Sequence, residues 1–301
     1  MSFQDLINGE IGINFAKGLA KVLPQKMGFS MADSIADIIA RRATSSMVRC
    51  ARANQWIVSQ KTLTKDELDQ RVFEVFDHTA YCIFDLYHNI DKPQTLLSKV
   101  TFSQKLENIL NEREKCGEGT LYVTPHLSNF DLAGRAITYS GHRILVLSYP
   151  NPNKGYQLQN QLRKEYDIEV MPMSVESLRL GKQRLQEGKA IITGLDRPLD
   201  ETKYHPQFFG YPSNVPVTYI KLAQQTRVPV VVVACMGNED GSYTADASDL
   251  IYMENYHDPI QDMERNAEKV LKQAEVFIRT HSNQWSMFYP VWPWALDEMP
   301  Q

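Results

Sequence analysis

From residue 117 onward the chain alternates short apolar runs with segments of helical periodicity, an order that few folds accept. Residues 121–123 read as a strand, 129–139 as a helix, 143–147 as a strand and 154–166 as a helix. A strand at 168–171, a helix at 175–186 and a strand at 190–193 follow. After a loop carrying Asp196 to Phe209 come a helix at 216–226, a strand at 228–235, an extended segment at 243–252 and a long helix at 259–281. Strands separated by helices cannot pair as hairpins. They predict an α/β fold with a largely parallel central sheet flanked by helices. The longest apolar run, 228–236, contains Pro229 and is far too short to span a bilayer, so it reads as a buried strand.

Residues 1–116 read as mostly helical. Phe3, Leu6, Ile7, Ile11, Phe15, Leu19 and Val22 recur at spacings of three and four, interrupted by Gly9, Gly12 and Gly18. That stripe fits either an amphipathic helix lying on a membrane or a helix packed on the body of the protein. A second helical stretch covers 31–58. Thr64 and Glu67 form a capping box that opens a third, running to about Asn89. No linker separates this region from the rest. The expectation is one structural domain, with a helical N-terminal region (1–116) packed on an α/β core (117–301).

The 301 residues suffice for a sizeable core, and the net charge of −4 argues against a nucleic-acid partner. The four cysteines, Cys50, Cys82, Cys116 and Cys235, have no C-x-x-C or zinc spacing, so they read as free thiols and no metal site is expected. The first ten residues carry acid early and lack an apolar h-region, so no secretory leader is expected. The expected location is cytoplasmic, with any membrane contact peripheral and at the inner face. Trp292 and Trp294 fit a membrane interface or a cap on the core equally well.

In open α/β sheets, sites lie beyond the carboxyl ends of the strands. His126 follows one such strand, and Asp196 and Arg197 follow another. Histidine titrates near neutrality, and a neighbouring carboxylate can orient its ring, so His126 with Asp131 is the minimum equipment for taking a proton from a hydroxyl. On one continuous helix five residues would separate the two side chains by roughly 140°. The pair therefore requires His126 in the turn after the strand and Asp131 in the first helical turn, with Ser128 or Asn129 as N-cap. Ser128-x-x-Asp131 could instead be a structural capping box. Arg197 could hold a phosphate or carboxylate, or simply pair with Asp196 or Asp200. Gly-x-Ser-x-Gly, His-Glu-x-x-His, P-loop and Gly-x-Gly-x-x-Gly patterns are absent, which disfavours serine hydrolases, metalloproteases, nucleotidases and dinucleotide enzymes.

Four blocks in order carry a family resemblance. They are His126-Leu-Ser-Asn-Phe-Asp131-Leu-Ala-Gly134, then Gly194-Leu-Asp196-Arg197 followed by Phe208-Phe209-Gly210, then Leu222-Ala-Gln-Gln-Thr226-Arg-Val-Pro229, and Gln284-Trp285-Ser-Met-Phe288. The chain resembles the late acyltransferases of lipid A biosynthesis and their relatives that acylate phosphatidylinositol mannosides, whose H-x4-D motif matches the first block.

The resemblance implies a glycerol-phosphate-acyltransferase-like fold. It implies transfer of a fatty acyl group from a thioester, on acyl carrier protein or coenzyme A, to a hydroxyl of a membrane lipid or glycolipid. His126 would be the general base and Asp131 would orient it. Asn129, at the helix start, would lie by the oxyanion. Arg197 would bind a substrate phosphate, and Asp196 would position Arg197 or His126. No cofactor beyond the thioester co-substrate is implied. Two other readings stay open: a thioesterase using the same histidine and carboxylate, and a non-catalytic lipid-binding protein of the same fold.

Overall fold

The computed structural model describes residues 17–150, 152, 154–165 and 168–300. Most of the apolar stripe read at residues 3–22 lies outside them. The N-terminal part holds helices α1 (Gln25–Ala40), α2 (Ser46–Val58), α3 (Lys65–Asn89) and α4 (Pro93–Lys99), strand β1 (Val100–Phe102) and helix α5 (Gln104–Lys115). The alternating part runs β2 (Thr120–Thr124), α6 (Phe130–Tyr139), β3 (Ile144–Ser148), α7 (Lys154–Glu165), β4 (Val170–Pro172), α8 (Val175–Gln186) and β5 (Ala190–Gly194). It continues through the small pair β6 (Gln207–Phe208) and β7 (Tyr211–Pro212), then α9 (Thr218–Thr226), β8 (Val230–Gly237), β9 (Tyr243–Ala247), α10 (Pro259–Thr280) and α11 (Ala295–Glu298).

Seven strands form one sheet in the order β1-β9-β8-β2-β5-β3-β4. Every neighbouring pair is parallel except β8 with β9. Successive side chains on a strand face opposite ways, so each central strand feeds two cores. Leu121, Val123, Val230, Val232 and Ala234 face one side, toward Tyr219, Ile220, Val270 and Leu271 of α9 and α10. Tyr122, Val231, Val233 and Cys235 face the other, toward Leu132, Ala133 and Ala136 of α6 and Leu106 of α5. Val230 to Met236 are all buried, as a strand covered on both faces requires. Each such valine contributes about 1.5–2 kcal/mol by leaving water.

Two departures from the sequence reading concern the N-terminal region. The expected single stretch at 31–58 is two helices. Ser45 takes an extended backbone (φ −65°, ψ 136°) and restarts the chain as α2, which lets Val48 and Ala51 meet Ala36 and Ile39 of α1 in one cluster. Strand β1, inside the region read as helical, pairs with β9 and so belongs to the main sheet. Three residues between two helices are too short to carry a period-2 signal. The capping box at Thr64 is present, with the Thr64 hydroxyl accepting from Glu67 N–H and the Glu67 carboxylate accepting from Thr64 N–H. Trp292 is fully buried, stacked on Phe208, so it caps the core, and Trp294 is partly buried beside Tyr211.

Candidate active site

Strands β2 and β5 are parallel neighbours with Thr124 opposite Gly194, so the residues two positions beyond each strand end come out side by side. Those residues are His126 and Asp196. The register continues past the strands, with Leu195 N–H donating to the Thr124 carbonyl at 3.1 Å. His126 N–H then donates to Asp196 Oδ2 at 2.7 Å, and its ring Nδ1 to Oδ1 at 2.6 Å. A third donor, the Trp285 indole N–H, reaches Oδ2 at 2.7 Å. Asp196 is 0% exposed, and three donors offset the cost of burying it. A carboxylate only accepts, so Nδ1 carries the imidazole proton and Nε2 is left with its lone pair. That is the tautomer a general base needs. The His126 side chain is 21% exposed, and Phe130 meets its ring edge-on at 5.1 Å.

The expected partnership of His126 with Asp131 is not what the structure builds. Asp131 Oδ1 accepts from Arg163 Nε–H at 2.8 Å, and its Oδ2 accepts from Arg163 Nη2 at 3.0 Å. Arg163 Nη1 donates onward to Asn160 Oδ1 at 2.8 Å, and Asn160 donates to the Ser148 hydroxyl at 2.9 Å. The chain of bonds ties α6 to α7 and to the end of β3. Burial works against the Arg163 charge, but Asp131 more than offsets it, so the guanidinium is held above its ordinary pKa.

Nor does Ser128 cap α6. It sits at φ 49° in the left-handed region, with its hydroxyl 2.8 Å from His78 Nε2, and Asn129 takes the N-cap position. The Asn129 amide points into the core, donating to the Cys82 carbonyl at 3.1 Å and the Tyr243 hydroxyl at 3.2 Å. Its side chain lines neither cavity, so what Asn129 offers the site is the backbone at the start of α6.

His126 opens on a cavity of about 300 Å³ between α6, α7 and the ends of β3 and β5. Ile144 and Val146 of β3 and Ile192 of β5 give it an apolar lining. Gly134 and Ile137 of α6 form one wall and Ile168, just after α7, closes another. Its charged and ring-bearing polar lining residues are His126, Asp131, Arg163, Tyr149, Tyr156 and Arg197. Arg197 pairs with neither Asp196 nor Asp200. Its guanidinium lies between the rings of Tyr149 (3.9 Å) and Tyr289 (4.2 Å), with Tyr156 at 5.3 Å. Aromatic faces hold its plane and leave the N–H edges for another ligand. Arg197, Tyr149 and Leu199 also line a second, more polar cavity of about 480 Å³ with Asp200, Asn214 and Tyr289.

Arg163, Trp285 and the three tyrosines were not singled out as site residues from the sequence. Trp285 lay within the Gln-Trp block, which marks it as a family feature without giving it a role. Arg163 sits on a polar helix face and carries no local signal at all.

The structure thus sets a carboxylate-backed imidazole against an apolar cavity at the carboxyl end of a parallel sheet, where open α/β folds carry their sites. The sequence model of the family described as bacterial lipid A biosynthesis acyltransferase matches residues 10–293, and the chain belongs to that family. It is 28% identical over 123 residues to the phosphatidylinositol mannoside acyltransferase of Mycobacterium tuberculosis, a stretch covering 40% of this chain and 39% of that protein. It is 26% identical over 129 residues to the protein of the same name from Mycolicibacterium smegmatis, covering 42% of each. The matched stretches thus span about two fifths of the length of these relatives.

Proposed function

We propose that this protein is an O-acyltransferase that moves a fatty acyl group from a thioester, on acyl carrier protein or coenzyme A, to a hydroxyl of a membrane lipid or glycolipid. The observation that carries the reading is the His126–Asp196 pair opening on the apolar cavity. His126 Nε2 takes the proton of the acceptor hydroxyl as its oxygen attacks the thioester carbonyl. The tetrahedral intermediate collapses with loss of the C–S bond, and the departing thiolate takes that proton back from His126. Asp196 holds Nδ1–H and stabilises the imidazolium between these steps, the role a carboxylate plays in a catalytic triad. The acyl chain lies along Ile144, Val146 and Ile192. The positive end of α6, where Phe130 and Asp131 line the cavity, favours the developing oxyanion.

Arg197 takes a substrate phosphate through its unspent N–H edge. The names of the mycobacterial relatives support a glycolipid acceptor. Peripheral attachment to a membrane is supported by the outer face of α1, where Met27 (59% exposed), Ile35 (40%) and Ile38 (51%) form one stripe. No described helix is long and apolar enough to cross a membrane.

The test is incubation of purified protein with acyl-coenzyme A or acylated carrier protein and bacterial lipid extract, followed by mass spectrometry. The expected result is a lipid heavier by one acyl chain, with the rate reduced about 100-fold or more in His126→Ala. Free fatty acid without acylated lipid would make the protein a thioesterase. Lipid binding with neither product would make it a non-catalytic binder.

A further inference from the structure

The segment 284–286 grips the turn that carries His126 from both sides. Ser286 N–H donates to the His126 carbonyl at 2.9 Å, and Ser128 N–H donates to the Gln284 carbonyl at 2.8 Å. Leu127 and Trp285 face each other between them as an isolated antiparallel bridge. The strap is anchored in turn: Gln284 accepts from Gly237 N–H at 2.8 Å and donates to the Gly237 carbonyl at 2.9 Å. Trp285 is its centre, 1% exposed and edge-on to Phe208 and Trp292. It lines neither cavity. Its one polar atom is spent on Asp196 Oδ2.

We propose that Trp285 is a positioning residue for the His126–Asp196 pair, fixing the plane of the Asp196 carboxylate and limiting how strongly that carboxylate favours positive charge on His126. The proposal rests on the acyl-transfer reading of the site. Two donors on Oδ2, the indole and the His126 backbone, leave Oδ1 for the ring and prevent the carboxylate from turning. They also draw negative charge away from Oδ1. Without the indole N–H, Asp196 supports imidazolium more strongly and holds the ring less well. The other charged and titratable groups that share the cavity with His126 are Asp131 on α6, Arg163 and Tyr156 on α7, Tyr149 after β3 and Arg197 after β5, and all are unchanged by a substitution at 285.

The test is Trp285→Phe, which keeps an aromatic ring and removes the donor. The expected kcat is about 10-fold lower, the scale of a hydrogen bond to a charged group. KM should stay unchanged, because Trp285 lines neither of the two cavities. The acid limb of the rate–pH profile should move to higher pH, since His126 protonates more readily. A packing role alone would lower the melting temperature and leave the profile in place.

Should the phenylalanine variant fail to fold, benzothienylalanine at position 285 keeps the bicyclic shape and lacks only the N–H. A folded variant with wild-type kcat and an unmoved profile overturns the proposal. NMR titration of the His126 ring protons, in wild type and variant, reads the same coupling without turnover. If wild-type protein transfers no acyl group, the functional reading fails, while an upward shift of the His126 titration in the variant still supports the Trp285 role and an unshifted one removes it.

Discussion

Asp131 and Arg163 are joined by two parallel hydrogen bonds, so the acid of the H-x4-D motif fastens helix α7 to helix α6, and the histidine of that motif is served by Asp196. The two carboxylates therefore have separable consequences. Asp131→Asn leaves the nearly buried Arg163 without its counter-charge and should lower unfolding free energy by about 3 kcal/mol. Asp196→Asn removes the acceptor that sets the His126 tautomer. It should lower acyl transfer by about 10³–10⁴-fold, the scale seen when a triad carboxylate becomes an amide. Urea unfolding and a transfer assay on both variants check this. Loss of activity without loss of stability in Asp131→Asn would count against the assignment.

The alternation of apolar runs and helical segments after residue 117 made the parallel sheet legible, because burial on both faces forces continuous apolar strands such as Val230–Met236. His126, Asp196 and Arg197 were legible as candidates because each follows a strand end. The pairing of His126 with Asp196 was not readable from spacing. It depends on which strands are neighbours, and the β2–β5 register is a tertiary fact about residues 70 positions apart. Asp131 misled for the opposite reason: a local spacing of five offered a partner, and the competing partner Arg163 lies 32 residues on. The left-handed turn at Ser128 was equally hidden, since the groups that hold it there, His78, Cys82 and the Gln284 carbonyl, are all distant in sequence.

His78 predicts a stability loss in acid. Burial, and then the charge of His281, push it down to about 4. The unfolded chain has an ordinary histidine near 6.5. Between these values the unfolded state holds more protons, so stability falls as pH drops through the window and the loss is complete below about 4. The shift corresponds to about 3 kcal/mol. In His78→Gln this dependence should vanish, seen as the wild-type-minus-variant difference in unfolding free energy between pH 7 and pH 4. A difference that stays constant over that range would exclude a buried neutral His78.

Asp77 runs the other way. Burial, then the charge and hydrogen bond of Asp33, raise it to about 6, above the 3.8 of an ordinary aspartate. The folded state now holds more protons between the two values. Stability is therefore greatest below about 4, and it is lost as pH rises through 6. Asp77→Asn should stabilise the protein at pH 7.5 and not at pH 4. The gain should be about 1 kcal/mol, because the carboxyl is part-exposed and solvent screens much of the repulsion. Thermal unfolding at the two pH values distinguishes this from a pH-independent packing effect.

Gly134 offers a way into the cavity itself. It lines the cavity from α6, and a Cβ built on it meets no heavy atom within 4 Å outside its own helix. Gly134→Ala should therefore be accepted and should stabilise the helix by about 0.5–1 kcal/mol. Gly134→Leu should fold equally well, but its side chain enters the space assigned to the fatty chain. With a long-chain thioester the expected kcat/KM is about 10-fold lower or worse, while an acetyl or butyryl thioester, which does not reach that depth, reacts as in wild type. Parallel assays with donors of increasing length give the comparison. An equal reduction for every donor would point to damage at His126, and no reduction for any of them would move the acyl chain out of this cavity.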